Sequence, residues 1–304
     1  MSIALVTGGT GSIGSKVVKI LMDMGHTVRV YSRDETRQHE MAQEVDGDVR
    51  FILGDVRDYQ RLVGAMQGVS HVYHCAAMKH VAACEYNPFE AADVNVKGTE
   101  MVLESAKYSH VETVTILSTD KAVAPSSVLG ATKMLAERMA LAVQQHSNMH
   151  IVCVRLGNVL GSRGSLLPTL LKAKREHREV VLRHPEMTRF VLLPQTAAMF
   201  IVMQAVGANR GCIVFPKNMK SAYVSDIMKA VGVQYTMGKP LRGEKVHEIM
   251  MDEDEVALAV EKDDRVQIHG ANPDGKVLPG TYCSQLAPML SVGELSKMIE
   301  SLSA

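Results

Sequence analysis

The chain reads as an α/β protein, a doubly wound parallel sheet of Rossmann type with a smaller C-terminal substrate-binding region. Three features predict it. Short apolar runs near residues 3–7, 27–32, 50–53, 71–75, 113–117 and 151–155 alternate with helical stretches, among them 88–106 and 129–145. The first run, Ile3-Ala4-Leu5-Val6, opens directly into Thr7-Gly8-Gly9-Thr10-Gly11-Ser12-Ile13-Gly14 and then a helical apolar period at Val17, Val18, Ile20 and Leu21. Past Gly157 the alternation loosens into polar, Gly-rich loops. The expected division is a dinucleotide-binding domain over 1–160, with a return to it near 190–215, and a mostly substrate-binding region over 161–304.

The Gly-rich turn is expected to hold a dinucleotide through Gly8, Thr10, Gly11, Ser12, Ile13 and Gly14. Glycines permit positive φ, bring backbone N–H groups up to a pyrophosphate and let the helix pack tightly on the strand. The second strand ends in Ser32-Arg33-Asp34, with Arg37 one turn further on. An NAD site places an acid there for the ribose 2′-hydroxyl. Two guanidiniums suit a 2′-phosphate instead, so NADP is expected over NAD, with Ser32, Arg33 and Arg37 as its contacts. A solvated helix start capped by Asp34 is the other reading.

In a parallel sheet, ligands bind at the carboxyl ends of the strands. Gly54-Asp55-Val56 and Cys75-Ala76-Ala77 lie at two such ends and should line the cofactor. Asp55 suits an adenine amino group, or else it merely caps a turn. The small Ala76 and Ala77 let the cofactor lie close. The fifth run ends in Ser118-Thr119-Asp120-Lys121-Ala122, and Gly130-Ala131-Thr132-Lys133 follows on the next helix. That spacing can gather a proton donor, a proton acceptor and a ribose-binding lysine over one nicotinamide face. Its alternative is a surface ion pair after a strand. Beyond them, the loop 157–165, the segment 184–190 and Gly243-Glu244-Lys245 would form a lid-like substrate region. Arg163 and Arg189 there are candidates for clamping a substrate diphosphate, with plain surface charge open for either alone.

Composition excludes several classes. The 304 residues are 46% hydrophobic with no net charge, enough for a substantial core and unlike a nucleic-acid surface. No apolar run reaches membrane-spanning or signal-peptide length, so neither membrane nor export is expected. Five widely spaced cysteines without a C-x-x-C pair read as reduced thiols of a cytoplasmic protein. Twelve histidines show no ligand spacing, so no metal is expected.

Taken together, the Gly-rich turn, Ser32-Arg33-Asp34-Glu35, Gly54-Asp55-Val56-Arg57-Asp58, Ala76-Ala77-Met78-Lys79-His80-Val81, Glu85-Tyr86-Asn87-Pro88-Phe89-Glu90 and Asn95-Val96-Lys97-Gly98-Thr99 resemble one family. Ser-Thr-Asp-Lys-Ala at 118–122, Gly161-Ser162-Arg163-Gly164-Ser165, Met187-Thr188-Arg189-Phe190 and Gly243-Glu244-Lys245-Val246-His247-Glu248 continue the match. The chain resembles the soluble UDP-N-acetylglucosamine 4,6-dehydratases of bacterial glycan pathways, which are extended short-chain dehydrogenases. The likeness runs from about residue 3 to 255. Membrane-anchored members carry a further N-terminal region.

The resemblance implies a reaction in which NADP⁺ takes a hydride from C4 and returns it to C6 after water has left. Asp120 would be the acid and Lys121 the base. Burial and a nearby cation, Lys133 or the oxidised nicotinamide, are expected to push the Lys121 pKa down. Lys133 would hold the nicotinamide ribose, with Asn95 in the local hydrogen-bond network. Lys79 would face both cofactor and substrate. Asn158 and Glu248 join Arg163 and Arg189 on the substrate side. UDP-N-acetylglucosamine or a related UDP-sugar is the implied partner, in a homo-oligomer. The inverting outcome at C5 is the working expectation, although residue types do not set it.

Some positions depart from the family. Leu129 stands where the short-chain dehydrogenase pattern places Tyr, four residues before Lys133, and some members carry Met there. Thr119, Lys133 or a water would then take the 4-hydroxyl proton. Leu241-Arg242-Gly243 replaces the usual Arg-Pro-Gly, and Gln195 stands where Glu is expected. The alternatives are an altered NADP-binding protein of the same fold, or a UDP-sugar epimerase or reductase.

Overall fold

The computed structural model describes residues 2–270, 278 and 280–302. Six parallel strands follow in chain order: β1 (Ile3–Thr7), β2 (Thr27–Ser32), β3 (Val49–Leu53), β4 (His71–His74), β5 (Thr113–Thr119) and β6 (His150–Leu156). They lie in the order β3-β2-β1-β4-β5-β6, and Cys212–Pro216 extends the sheet parallel to β6. The doubly wound expectation therefore holds, with its switch point between β1 and β4. These strands are near-continuous apolar runs because helices cover both faces. Ala4, Leu5, Val6, Val152, Cys153 and Val154 are fully buried.

Two further strands were not legible in the sequence. Arg265–His269 pairs antiparallel to Cys212–Pro216, and Ala259–Lys262 pairs antiparallel to it at the sheet edge. The turn between them needs a left-handed residue, which Asp263 supplies at φ 55°. A second apolar cluster, including Leu167, Leu170, Leu182, Ile227 and Leu295, joins the segments 160–191, 222–233 and 290–295.

The stretch 88–106 does not form one regular helix. It runs as Pro88–Ala92, a wider π turn Asp93–Lys97, and Gly98–Tyr108. The wider turn carries the buried Asn95, whose Oδ1 accepts from Met78 N at 2.8 Å. Its Nδ2 donates to Met78 O at 3.1 Å and to Thr132 Oγ1 at 3.0 Å. A π turn at such a clamp trades regular helix bonds for a side-chain grip on a neighbouring loop.

Candidate active site

The carboxyl ends of β1, β2, β4, β5 and β6 open on one cleft of about 1530 Å³. Gly8, Thr10, Gly11, Ser12, Ile13 and Gly14 form part of its wall. Gly8 has φ 65°, and a Cβ there would lie 2.8 Å from Ala76 N and Cα. A Cβ on Gly14 would lie 2.3 Å from Gly8 O. The turn is thus shaped by missing side chains, leaving a backbone cradle that fits a dinucleotide pyrophosphate. Ala76, Ala77, Val56 and Lys79 also line the cleft. Burial and the Arg163 guanidinium both push the Lys79 ammonium pKa down.

Ser32, Arg33 and Arg37 line the cleft beside this turn. Asp34 does cap the following helix, accepting from Arg37 N at 3.0 Å, and it pairs with Arg37 Nε at 3.2 Å. Asp55 is not part of the lining. Its carboxylate accepts from Arg57 at 2.7–3.0 Å and lies 3.5 Å from Arg33. Hydrogen bonds from Arg57 hold it below the usual carboxylate range. Asn95 is likewise outside the lining, because its amide is spent on Met78 and Thr132.

The chemistry-bearing groups meet at the end of β5. Asp120 and Lys121 begin the short turn Asp120–Ala122, with Thr119 as its cap. Asp120 is fully buried. Its Oδ1 accepts from Thr119 Oγ1 at 2.8 Å and from Lys121 Nζ at 2.9 Å, and Oδ2 has no hydrogen-bond partner. Lys121 lines the cleft in front of it, with Nζ 3.0 Å from Glu248 Oε1 and 3.5 Å from Asn158 Oδ1. Glu248 is 2% exposed and Asp120 fully buried, so this amine sits between two buried carboxyl groups at the edge of the cleft.

That placement reverses one expectation. Burial does pull the Lys121 pKa down, but Asp120 and Glu248 outweigh it and leave it raised. Lys133 is not the controlling neighbour. Its Nζ donates to Leu117 O at 2.7 Å, and burial lowers its own pKa. Burial holds the Asp120 carboxyl above the usual range, with Glu248 reinforcing it against Lys121. Burial also opposes ionisation of Glu248, but Lys121 and Arg189 prevail and keep it below the usual range.

Gly130 explains how the next helix can lie against this turn. A Cβ there would stand 2.2 Å from Lys121 O, a backbone atom. Gly130→Ala is expected to cost about 1–3 kcal/mol in urea denaturation through this overpacking, with the Lys121 turn displaced. Leu129, in the place of Tyr, lines the cleft and is packed with Cys84 and Ala91. Thr119 already gives its hydroxyl proton to Asp120.

The two clamp arginines are used separately. Arg163 folds onto the Gly-rich turn, its backbone N donating to Ser12 Oγ at 2.9 Å and its guanidinium to Thr10 O. Arg189 donates to Thr188 O at 2.8 Å and Val246 O at 3.1 Å, and it lies 3.5 Å from Glu244 and 3.7 Å from Glu248. Sequence reasoning quoted Glu244 without giving it a role, yet it lines the cleft beside Arg189. The available signal was the charged pair Glu244-Lys245 directly after Gly243 in a loop. Gln195 is exposed in the first turn of Pro194–Gly207 and does not reach the cleft. Among the described residues no cluster of His, Cys, Asp and Glu could hold a metal, and no helix is long and apolar enough to cross a membrane.

A family model for polysaccharide biosynthesis protein matches residues 4–269. The chain belongs to the polysaccharide biosynthesis protein family. It is 36% identical to an uncharacterised membrane protein of Methanocaldococcus jannaschii, over 98% of this chain and 95% of that one. It is 35% identical both to a UDP-glucose 4-epimerase of Rickettsia rickettsii and to a UDP-N-acetylglucosamine 4,6-dehydratase (inverting) of Campylobacter jejuni. Each of those matches covers 84% of this chain and 79% of the relative. Among solved structures, Pen from Bacillus thuringiensis superposes with a TM-score of 0.94 at 30% identity, covering 99% of this chain and 98% of that one. The chain is thus about equally similar to relatives named for the two activities.

Proposed function

We propose that the chain is an NADP-dependent sugar-nucleotide 4,6-dehydratase acting on UDP-N-acetylglucosamine. The observation that carries this is the Asp120–Lys121–Glu248 array, in which Lys121 and Glu248 line the cleft and Asp120 lies buried directly behind Lys121. Hydride exchange at one carbon needs no such array, whereas eliminating water across C5–C6 needs both an acid and a base. When bound, the nicotinamide supplies a hydride acceptor for C4 and a donor for C6.

Lys121, at the cleft, is the base for the C5 proton. Asp120 is the acid. Thr119 and Lys121 both donate to its Oδ1, so the unpartnered Oδ2 is left to carry the proton for the C6 hydroxyl. Lys133, on the cleft lining, would hold the nicotinamide ribose. Asn95 positions the Met78–Lys79 loop rather than touching the cofactor. Arg163 braces the pyrophosphate turn, and Arg189 with Glu244 shapes the sugar end. Residues after 160 supply most of the substrate side.

Arg33 and Arg37 favour NADP, since both guanidiniums are about half exposed and such pairs yield readily to a phosphate. Replacing both by Ala is expected to weaken NADP binding by on the order of tenfold per guanidinium while sparing NAD, as read by calorimetric titration. The epimerase relative favours a second reading, inversion at C4 of a UDP-sugar. Incubation with NADP⁺ and UDP-N-acetylglucosamine separates the two. Loss of one water by mass spectrometry supports the dehydratase, and an isomer of unchanged mass supports the epimerase.

A further inference from the structure

We propose that Glu248 is the proton-holding partner that turns Lys121 from an ammonium into a base. This deepens the dehydratase reading and rests on it. The geometry is specific: Nζ of Lys121 lies 3.0 Å from Glu248 Oε1, Glu248 is buried while Lys121 reaches the cleft, and Glu248 Oε2 has no hydrogen-bond partner. The backbone fixes Glu248 as well, its N–H donating to Ser284 Oγ at 2.9 Å. Asp120, Arg189 and Lys245 also bear on the Glu248 carboxyl.

In the proposed resting state Asp120 keeps its proton, Lys121 is an ammonium and Glu248 is ionised, in line with the directions in which burial and the neighbouring charges push the three groups. One Nζ–H bond breaks, its proton passes to Glu248 Oε1, and the electron pair stays on Nζ. The array still holds two protons, but the amine is now neutral. That amine takes the C5 proton, and the C–H electron pair moves into the adjacent C4 ketone system. Asp120 gives its proton to the C6 oxygen, which leaves as water. No proton has to cross from solvent between these steps, which suits two carboxyl groups this buried. Lys121 needs a carboxylate on its far side for this, because Asp120 must keep its own proton for the leaving group.

The test is Glu248→Gln with two readouts. The first is the reactivity of the Lys121 amine toward an acylating reagent at neutral pH, without substrate, mapped by peptide mass spectrometry. Removing the Glu248 charge should increase that labelling several-fold, since the ammonium loses a stabilising carboxylate. The second is deuterium entry at C5 of UDP-N-acetylglucosamine in D₂O, which should fall by about 100-fold. Glu248→Asp should restore part of it. A more neutral amine that is nonetheless a slower base is the signature expected. If C5 exchange rises with amine reactivity, Glu248 merely suppresses Lys121 and the proposal is overturned. Water loss by the unaltered protein tests the underlying dehydratase reading separately.

Discussion

Lys121→Ala is expected to reduce water loss from the sugar nucleotide by about 10³-fold while leaving NADP binding intact. The side chain contacts no part of the Gly-rich turn, so cofactor affinity has no reason to change. Its removal takes the base out of the cleft and leaves Asp120 and Glu248 facing each other without the cation between them, Arg189 remaining on the far side of Glu248. Two buried carboxyls in that position share a proton, so one or both stay neutral near neutral pH. Turnover by mass spectrometry, beside NADP titration of the same sample, checks this. Equal loss of both would mean that the turn has collapsed rather than lost its base.

Arg155→Ala is expected to lower stability by about 3–5 kcal/mol, the cost of leaving buried charges without their partner. Arg155 on β6 is 1% exposed and donates to Glu137 at 2.8–2.9 Å, to both oxygens of Glu255 at 2.7 Å and to Met250 O at 2.8 Å. Ser118 adds a 2.6 Å bond to Glu137 from the end of β5. One guanidinium therefore ties β6, the helix Val128–Gln145 and the segment 250–255 together, and Ser118, two residues before Asp120, joins the same cluster through Glu137. Urea denaturation measures the loss. The same variant should also lower turnover, because Glu248 and the Ser118–Lys121 turn hang on the segments it joins. A change below about 1 kcal/mol, the range of an exposed pair, would show that the cluster is not the tie described.

The parallel sheet, the Gly-rich turn and the turn at 118–122 were legible because they are local. Strand periodicity, glycines and adjacent charges are all written within short windows. What escaped was decided across long separations. Glu248 meets Lys121 only because the segment 246–251 packs over the end of β5, so this second carboxylate, which joins Asp120 in raising the lysine pKa, could not be seen beside it in sequence. Asp55 looked like a nucleotide ligand until Arg57 and Arg33 claimed it. Arg163 and Arg189 share a residue type but not a neighbourhood. The edge strands 259–262 and 265–269 were hidden by charged residues around Asp263, whose left-handed backbone carries no apolar signal.

The most direct measurement of the central claim is the mass of the product formed from UDP-N-acetylglucosamine by the NADP-loaded protein in D₂O. A dehydratase gives a product lighter by one water and carrying one deuterium at C5, because the C5 proton exchanges while the hydride stays within the sugar. A product of unchanged mass with no deuterium at C5, or recovery of unaltered substrate, would contradict the account.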